Sequence, residues 1–178
     1  MEHLAEKTIL VFTKFKDRFK IIQQAVPDCA TKMFHIEGHS PGPYLAGCWA
    51  CARDVMSSAT SIDRRCWVCK KTVAEAREGD HLERNKIRLV ITGHFIGEYS
   101  DTGFKLSRDL KYYDKIYAPV VLYTSVPPRV VERELASYSH AEDDHVKRNL
   151  TRIEDYFREV VYEPNVPRIA ELIKKFGE

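Results

Sequence analysis

Short apolar runs alternate with amphipathic segments along this chain, which predicts alternating strands and helices. The runs 8–13 and 119–123 are almost continuously apolar, as is typical of strands buried on both faces of a parallel sheet. A third run, 86–92, is interrupted only by Arg88, and we expect it to form a central strand. The two remaining predicted strands are 32–37 and 159–163.

The segments between these runs have the apolar spacing of helices. The first predicted helix follows the first strand and ends before Pro27, because proline cannot continue a helix. A second is predicted over 71–78, and a third around Leu106 and Leu110. The clearest amphipathic pattern is Val146, Leu150, Ile153 and Phe157, and a terminal helix is marked by Ile169, Leu172, Ile173 and Phe176.

Two strand-to-helix units resemble each other. In both, a strand ends at tyrosine and a proline, Pro128 or Pro167, falls in the first turn of the next helix, where its missing N–H has no helical partner. Ser125 and Asn165 are candidate caps for these helices. Repeated βα units favour parallel strands with right-handed crossovers. The sequence therefore predicts a single α/β domain over 1–178, with three layers and a mostly parallel sheet of about five strands.

Size and charge exclude several classes of protein. The 178 residues include 28 basic and 26 acidic ones, a net charge of +2 that is too balanced to indicate nucleic-acid binding by bulk charge. No run approaches the roughly 18 apolar residues of a membrane span, and the polar N-terminus is unlike a secretory signal. We therefore expect a cytoplasmic protein in a reducing compartment, without a membrane partner.

Four of the five cysteines form two pairs, Cys48-x2-Cys51 and Cys66-x2-Cys69, with 14 residues between the pairs. Two such pairs can close a tetrahedron of sulfur ligands around Zn²⁺. Four cysteine ligands leave no open coordination position, so the zinc cofactor would be structural. We expect an inserted, zinc-ribbon-like module with four cysteine ligands over 44–72. Redox-active or simply buried cysteines are the alternatives.

Aromatic and basic residues surround these cysteines. From 48 to 71 there are five basic and two acidic residues, a local net charge of +3. Aromatic faces beside cations suit base stacking and phosphate contact. The candidate nucleic-acid-binding residues are Trp49, Arg64, Arg65, Trp67, Lys70 and Lys71. The alternative is that the tryptophans pack over the zinc site or dock the module on the main domain.

The carboxyl ends of the strands are the expected ligand-binding edge of an open α/β sheet. Two of these ends carry a Gly-His pair, at His39 and at His94, and the polar loop after His94 contains Glu98 and Asp101. An imidazole beside a carboxylate is a common acid/base arrangement, so these four residues are the candidate catalytic set. The alternative is that His94 is a satisfied, partly buried histidine. Cys29, His35 and His39 could also hold a second metal ion.

These features lead to a functional prediction in two forms. The first is a zinc-containing protein that acts on nucleotides or nucleic acid, as a hydrolase or nuclease, with the four-cysteine module as a structural clamp. The second is a non-catalytic adaptor whose zinc module docks a protein or nucleic-acid partner. The sequence contains no Walker-type phosphate loop, GxGxxG or G-x-S-x-G motif that would specify a reaction.

Overall fold

The computed structural model describes residues 7–28, 31–36, 87–96, 102–112, 117–139 and 150–177. The strands are β1 (Thr8–Phe12), β2 (Lys32–Ile36), β3 (Ile87–Thr92), β4 (Val120–Thr124) and β5 (Glu159–Tyr162). The helices are α1 (Lys16–Ala25), α2 (Gly103–Tyr112), α3 (Pro128–Ser139), α4 (Ile153–Tyr156) and α5 (Val166–Gly177). The predicted zinc module at 44–72 and the predicted helix at 71–78 lie outside the described residues.

The strands form one parallel sheet in the order β2-β1-β3-β4-β5. β3 lies at its centre, as its apolar run predicts, and Arg88 is its one exposed residue. β1 and β3 pair with Phe12 opposite Thr92, and the amide of Gly93 extends the pairing by donating to the carbonyl oxygen of Phe12 at 2.8 Å. The predicted α/β class with a parallel sheet is confirmed.

Helices cover both faces of the sheet. Because side chains alternate along a strand, each buried strand contributes apolar side chains to both faces. On one face α5 packs against α1. The buried cluster on that face is Ile9, Val11, Phe19, Ile22, Val26, Leu89, Ile91, Val121, Tyr123, Val161, Ile169, Leu172 and Ile173.

Aromatic rings dominate the packing between α2 and α4. Phe104 makes edge-to-face contacts with Tyr156 and Phe157, with ring centroids 5.1 and 4.9 Å apart. The Ser107 hydroxyl donates to the carbonyl oxygen of Tyr156, and Lys111 Nζ donates to that of Asp155 at 2.6 Å. These bonds attach α4 to α2 at two positions along the helix.

The amphipathic helix predicted from Val146, Leu150, Ile153 and Phe157 is wrong over its described part. Only Ile153–Tyr156 is helical, and the backbone is extended at Arg152 and Phe157. The Asp155 carboxylate accepts the amides of Thr151 and Arg152 at 3.0 and 2.8 Å, which fixes the start of a short new helix. Leu150 and Phe157 are nevertheless buried, because the irregular chain on either side of α4 also turns its apolar side chains inward.

The two similar strand-to-helix units are both present. Pro128 is the first residue of α3, and Pro167 is the second residue of α5. The Asn165 side chain accepts the amide of Arg168 at 3.3 Å, as the predicted cap should. In the other unit the side-chain bond comes from Thr124, not Ser125: the Thr124 hydroxyl accepts the amide of Val126 at 3.0 Å. None of the helices in the described ranges combines the length and apolar character needed to cross a membrane.

Candidate functional site at the carboxyl edge of the sheet

The strand order reverses between β1 and β3, since the chain runs from β1 to β2 on one side and from β3 to β5 on the other. A crevice forms outside the strand ends at such a point, and this is where open α/β sheets bind ligands. Thr13 and Lys14 follow β1 here, and Gly93 and His94 follow β3. The predicted edge is therefore present, and its chemistry depends on the side chains that reach it.

Arg18 reaches this crevice from the first turn of α1. Its Nη2 lies 2.6 Å from Oε1 of Glu163, which follows β5, and the two side chains are 21% and 24% exposed. A Cβ atom placed on Gly93 would lie 3.3 Å from Arg18 Nη1. Glycine at the end of β3 thus leaves room for the Arg18 guanidinium. The guanidinium lies over the switch point, the place between β1 and β3 where the strand order reverses. The ion pair joins α1, the helix after the first strand, to the turn after the last strand.

Tyr123 connects this ion pair to the core beneath it. Its side chain belongs to the buried cluster on the α1–α5 face and is 3% exposed. Burial raises the pKa of the Tyr123 hydroxyl above its ordinary value, the charge of Glu163 raises it further, and that of Arg18 lowers it. Both members of the ion pair therefore act electrostatically on the same buried phenol.

Hydrogen bonds from backbone and side-chain groups hold the strand ends in place around the crevice. The Thr13 hydroxyl accepts the amide of Phe15 at 3.2 Å. The Thr13 carbonyl oxygen lies 3.2 Å from Nε2 of His35, whose ring stacks on Phe19 with centroids 4.9 Å apart. On the other side, the amide of Glu163 donates to the carbonyl oxygen of Thr124 at 2.9 Å. His35, a candidate metal ligand by sequence, contacts this edge as a buried packing residue.

Two exposed phenylalanines follow the ends of β1 and β3. Phe15 and Phe95 each lie three residues beyond the paired strand ends Phe12 and Thr92, and they are 58% and 53% exposed. Lys14 Nζ lies 5.9 Å from the centroid of the Phe15 ring.

His94 does not face this crevice as a free acid or base. Its side chain is 3% exposed, and its Nε2 contacts a carboxylate oxygen of Glu134 on α3. The ring also contacts Phe95 and Phe104 edge-on, with centroids 4.6 and 6.4 Å apart. Its Nδ1 has no hydrogen-bond partner among the described residues. The alternative interpretation, a satisfied and partly buried histidine, fits the contact at Nε2 but not the Nδ1, which is unpaired in the described ranges, and an acid/base role for His94 stays a prediction.

The other predicted site residues lie outside the described residues. These are the catalytic candidates His39, Glu98 and Asp101, the nucleic-acid candidates Trp49, Arg64, Arg65, Trp67, Lys70 and Lys71, and the zinc ligands Cys48, Cys51, Cys66 and Cys69. Cys29, the third ligand of the possible second metal site, lies outside them too. Over the described ranges there is no group of three or more His, Cys, Asp or Glu side chains arranged to hold a metal ion.

Sequence reasoning missed Arg18 and Glu134, and it identified Glu163 only as a strand-end residue. Arg18 resembles an ordinary charge on the polar side of α1, because its partner lies near the other end of the chain. Glu134 is separated from His94 by β4 and is one of several charged residues on α3. For Arg18 a signal was present: a cation in the first turn after a buried strand lies at the ligand-binding edge by topology.

The fold has a counterpart among solved structures. The signal receiver domain of a protein described as a Luxo repressor, from Vibrio parahaemolyticus, matches with a TM-score of 0.53 and 13% identity, over 96% of this chain and 89% of that one. The fold is like that of a response-regulator receiver domain. A response regulator from Thermotoga maritima matches with a TM-score of 0.49 and 14% identity, over 96% of this chain and 97% of that one. No protein-family model matches the sequence, and no curated protein matches it.

These findings overturn the predicted function. The chain folds like a receiver domain, and the described residues contain no metal-binding group, so the prediction of a zinc hydrolase or nuclease acting on nucleotides or nucleic acid is wrong. The prediction relied on the segment with the four paired cysteines. The carboxyl edge of the sheet instead carries the ion pair of Arg18 and Glu163 beside Gly93. Zinc binding by those cysteines itself stays a prediction.

Proposed function

We propose that this chain is a signalling module that recognises a phosphate monoester at the carboxyl edge of its sheet. The observation that carries the proposal is the position of Arg18, which stands over Gly93 at the β1/β3 switch point and is only partly covered by Glu163. The receiver-like fold supports a signalling role. Guanidinium groups bind phosphate oxygens through paired, charge-assisted hydrogen bonds, which makes arginine the suitable side chain at such a point.

The ion pair provides a way for ligand binding to change the protein. A phosphate in the crevice competes with Glu163 for the donors of Arg18. Glu163 lies in the turn between β5 and α5, and α5 packs against α1 and β3. A ligand shifts a conformational equilibrium by the difference in its affinity for the two conformations. A phosphate that displaces Glu163 therefore spends part of its binding free energy on shifting the turn at the start of α5.

The proposal predicts opposite effects for the two members of the ion pair. Inorganic phosphate is titrated against labelled protein at constant ionic strength and followed by NMR, with chloride as the reference anion. Arg18→Gln should weaken phosphate binding at least about tenfold, because it removes charged hydrogen bonds. Glu163→Gln should strengthen binding, since it removes the competing carboxylate. Arg18→Lys should fall between wild type and Arg18→Gln, because lysine keeps the charge but loses the paired geometry.

Arg88→Gln is the matched control. Arg88 is exposed near the amino end of β3, so the substitution removes the same charge at the opposite edge of the sheet. Its phosphate affinity should equal that of the wild type. Phosphate affinity that is unchanged in Arg18→Gln, or no phosphate-specific response in the wild type, would overturn the proposal.

A further inference from the structure

His35 is a buried histidine that has no role in the proposed function so far. It lies on β2, the outermost strand on one side of the described sheet, beside Val11 of β1, and is 5% exposed. Its Nε2 lies 3.2 Å from the carbonyl oxygen of Thr13. Because a carbonyl oxygen can only accept, Nε2 carries the proton and donates this hydrogen bond. The imidazole also stacks on the ring of Phe19 at an interplanar angle of 13°. One side chain from β2 thus contacts two points of the segment that runs from β1 into α1.

These two points lie on either side of Arg18 in the chain. Thr13 directly follows β1, and Phe19 directly follows Arg18 in α1. A series of hydrogen bonds crosses the turn between them. The Thr13 hydroxyl accepts the amide of Phe15 at 3.2 Å, and the carbonyl oxygen of Phe15 accepts the amide of Arg18 at 3.1 Å. The turn that carries Arg18 is therefore held at its start by a hydrogen bond from His35 and at its end by the stacked ring.

We infer that His35 is a positioning residue for phosphate recognition: it holds the turn between β1 and α1 so that the Arg18 guanidinium lies over Gly93. This inference rests on the proposed function. A guanidinium forms paired hydrogen bonds with phosphate oxygens only in a suitable orientation, so the backbone that carries it must itself be fixed. His35 is almost fully buried, so it acts through the turn and not by contact with the ligand.

The experiment is a double-mutant cycle on the intact chain, with inorganic phosphate titrated at constant ionic strength and followed by NMR. His35→Phe keeps a ring for the stack on Phe19 but removes the hydrogen bond to Thr13. It should weaken phosphate binding about two- to tenfold, in line with the usual net strength of one hydrogen bond. His35→Gln keeps an N–H donor but loses the ring, and its affinity should fall between those of wild type and His35→Phe. In an Arg18→Gln background neither substitution should change the affinity further, because the group that His35 positions is absent.

Thr31→Val is the matched control for a general loss of stability. Thr31 directly precedes β2, and its buried hydroxyl donates to the carbonyl oxygen of Gly177 at 2.6 Å. The substitution therefore removes a buried hydrogen bond at the amino end of the same strand, away from the carboxyl edge. Its phosphate affinity should equal that of the wild type even if its melting temperature falls.

Failure of the inference is distinguishable from failure of the proposed function. Two results would overturn the positioning role and leave phosphate recognition by Arg18 standing: wild-type affinity in His35→Phe, or an equal loss of affinity with and without Arg18. No phosphate-specific response in the wild type would overturn both proposals. If His35→Phe does not fold, His35→Gln decides the question: a loss of affinity that requires Arg18 supports the positioning role, and wild-type affinity overturns it.

Discussion

At the residue scale, two charged pairs differ in their surroundings. Arg18 and Glu163 are partly exposed at the carboxyl edge of the sheet, whereas His94, the partner of the partly buried Glu134, is almost fully buried. Because the side chains of Arg18 and Glu163 are 21% and 24% exposed, a ligand can reach this pair from solvent. A buried pair contributes to stability, because removal of one partner leaves the other polar group buried without a hydrogen-bond partner. The same kinds of charged pair therefore have different roles in different surroundings.

Glu134→Ala should destabilise the fold. It leaves Nε2 of His94 buried without its acceptor, which typically costs about 1–3 kcal/mol in the free energy of unfolding. Glu134→Gln should retain most of that stability, because its amide oxygen still accepts the hydrogen bond. Urea unfolding of the three proteins measures the difference. An alanine variant as stable as wild type would show that the pair is not structural.

At the element scale, local hydrogen bonds decide where elements start when the apolar pattern is ambiguous. The spacing of Leu150, Ile153 and Phe157 fits a continuous helix, yet the described chain forms only one turn at Ile153–Tyr156. Both Leu150 and Phe157 reach the core from non-helical backbone. The burial of these residues was predictable from their apolar character, but their secondary structure was not. The Asp155 carboxylate accepts the backbone amides of Thr151 and Arg152, so a new helix starts there and the helix predicted from the apolar spacing is not continuous.

Asp155→Ala should destabilise this turn. The Asp155 carboxylate accepts two backbone amides at the start of α4, and the loss of such a cap typically costs about 1 kcal/mol. Asp155→Asn keeps an acceptor oxygen and should lose less. Glu154→Ala is the control, because Glu154 is exposed in the same turn. Thermal unfolding should give the lowest melting temperature for Asp155→Ala, and equal melting temperatures for Asp155→Ala and Glu154→Ala would contradict the prediction.

At the scale of the whole molecule, Tyr123 lies in the core and interacts electrostatically with the ion pair at the carboxyl edge of the sheet. Burial and the charge of Glu163 raise the pKa of this phenol in the folded state, while Arg18 lowers it. A raised folded-state pKa means that the folded protein retains the proton to higher pH than the unfolded chain. The contribution of protonated Tyr123 to the free energy of unfolding is therefore fully present below the unfolded pKa of about 10. That contribution is lost as the pH rises through the folded-state pKa.

The free energy of unfolding should accordingly fall as the pH is raised above about 10. Tyr123→Phe should make that fall less steep, because phenylalanine carries no proton to release. Tyr162, whose pKa is also raised by burial, should account for part of the remainder. Denaturant unfolding at a series of alkaline pH values makes the comparison, and identical slopes for Tyr123→Phe and wild type would rule out this role.

The sequence by itself determined the α/β class, the parallel strands and the residues at the carboxyl edge of the sheet. Continuous apolar runs can be buried only by layers on both faces, and repeated strand-to-helix units close with one handedness. The strand-end positions of Thr13, Gly93, Thr124 and Glu163 are therefore predictable from the sequence. These positions follow from the apolar runs and from the order of strands and helices along the chain, and both can be read from the sequence.

Only the tertiary structure decided which side chains meet at that edge. Arg18 pairs with Glu163 and His94 pairs with Glu134 across intervening strands, and no local spacing records either contact. Sequence motifs favoured the cysteine segment, because metal ligands cluster in short, recognisable spacings. A site made from single residues on separate elements has no such signature. Its composition depends on the order of the strands, which places α1, the end of β3 and the turn after β5 around one crevice.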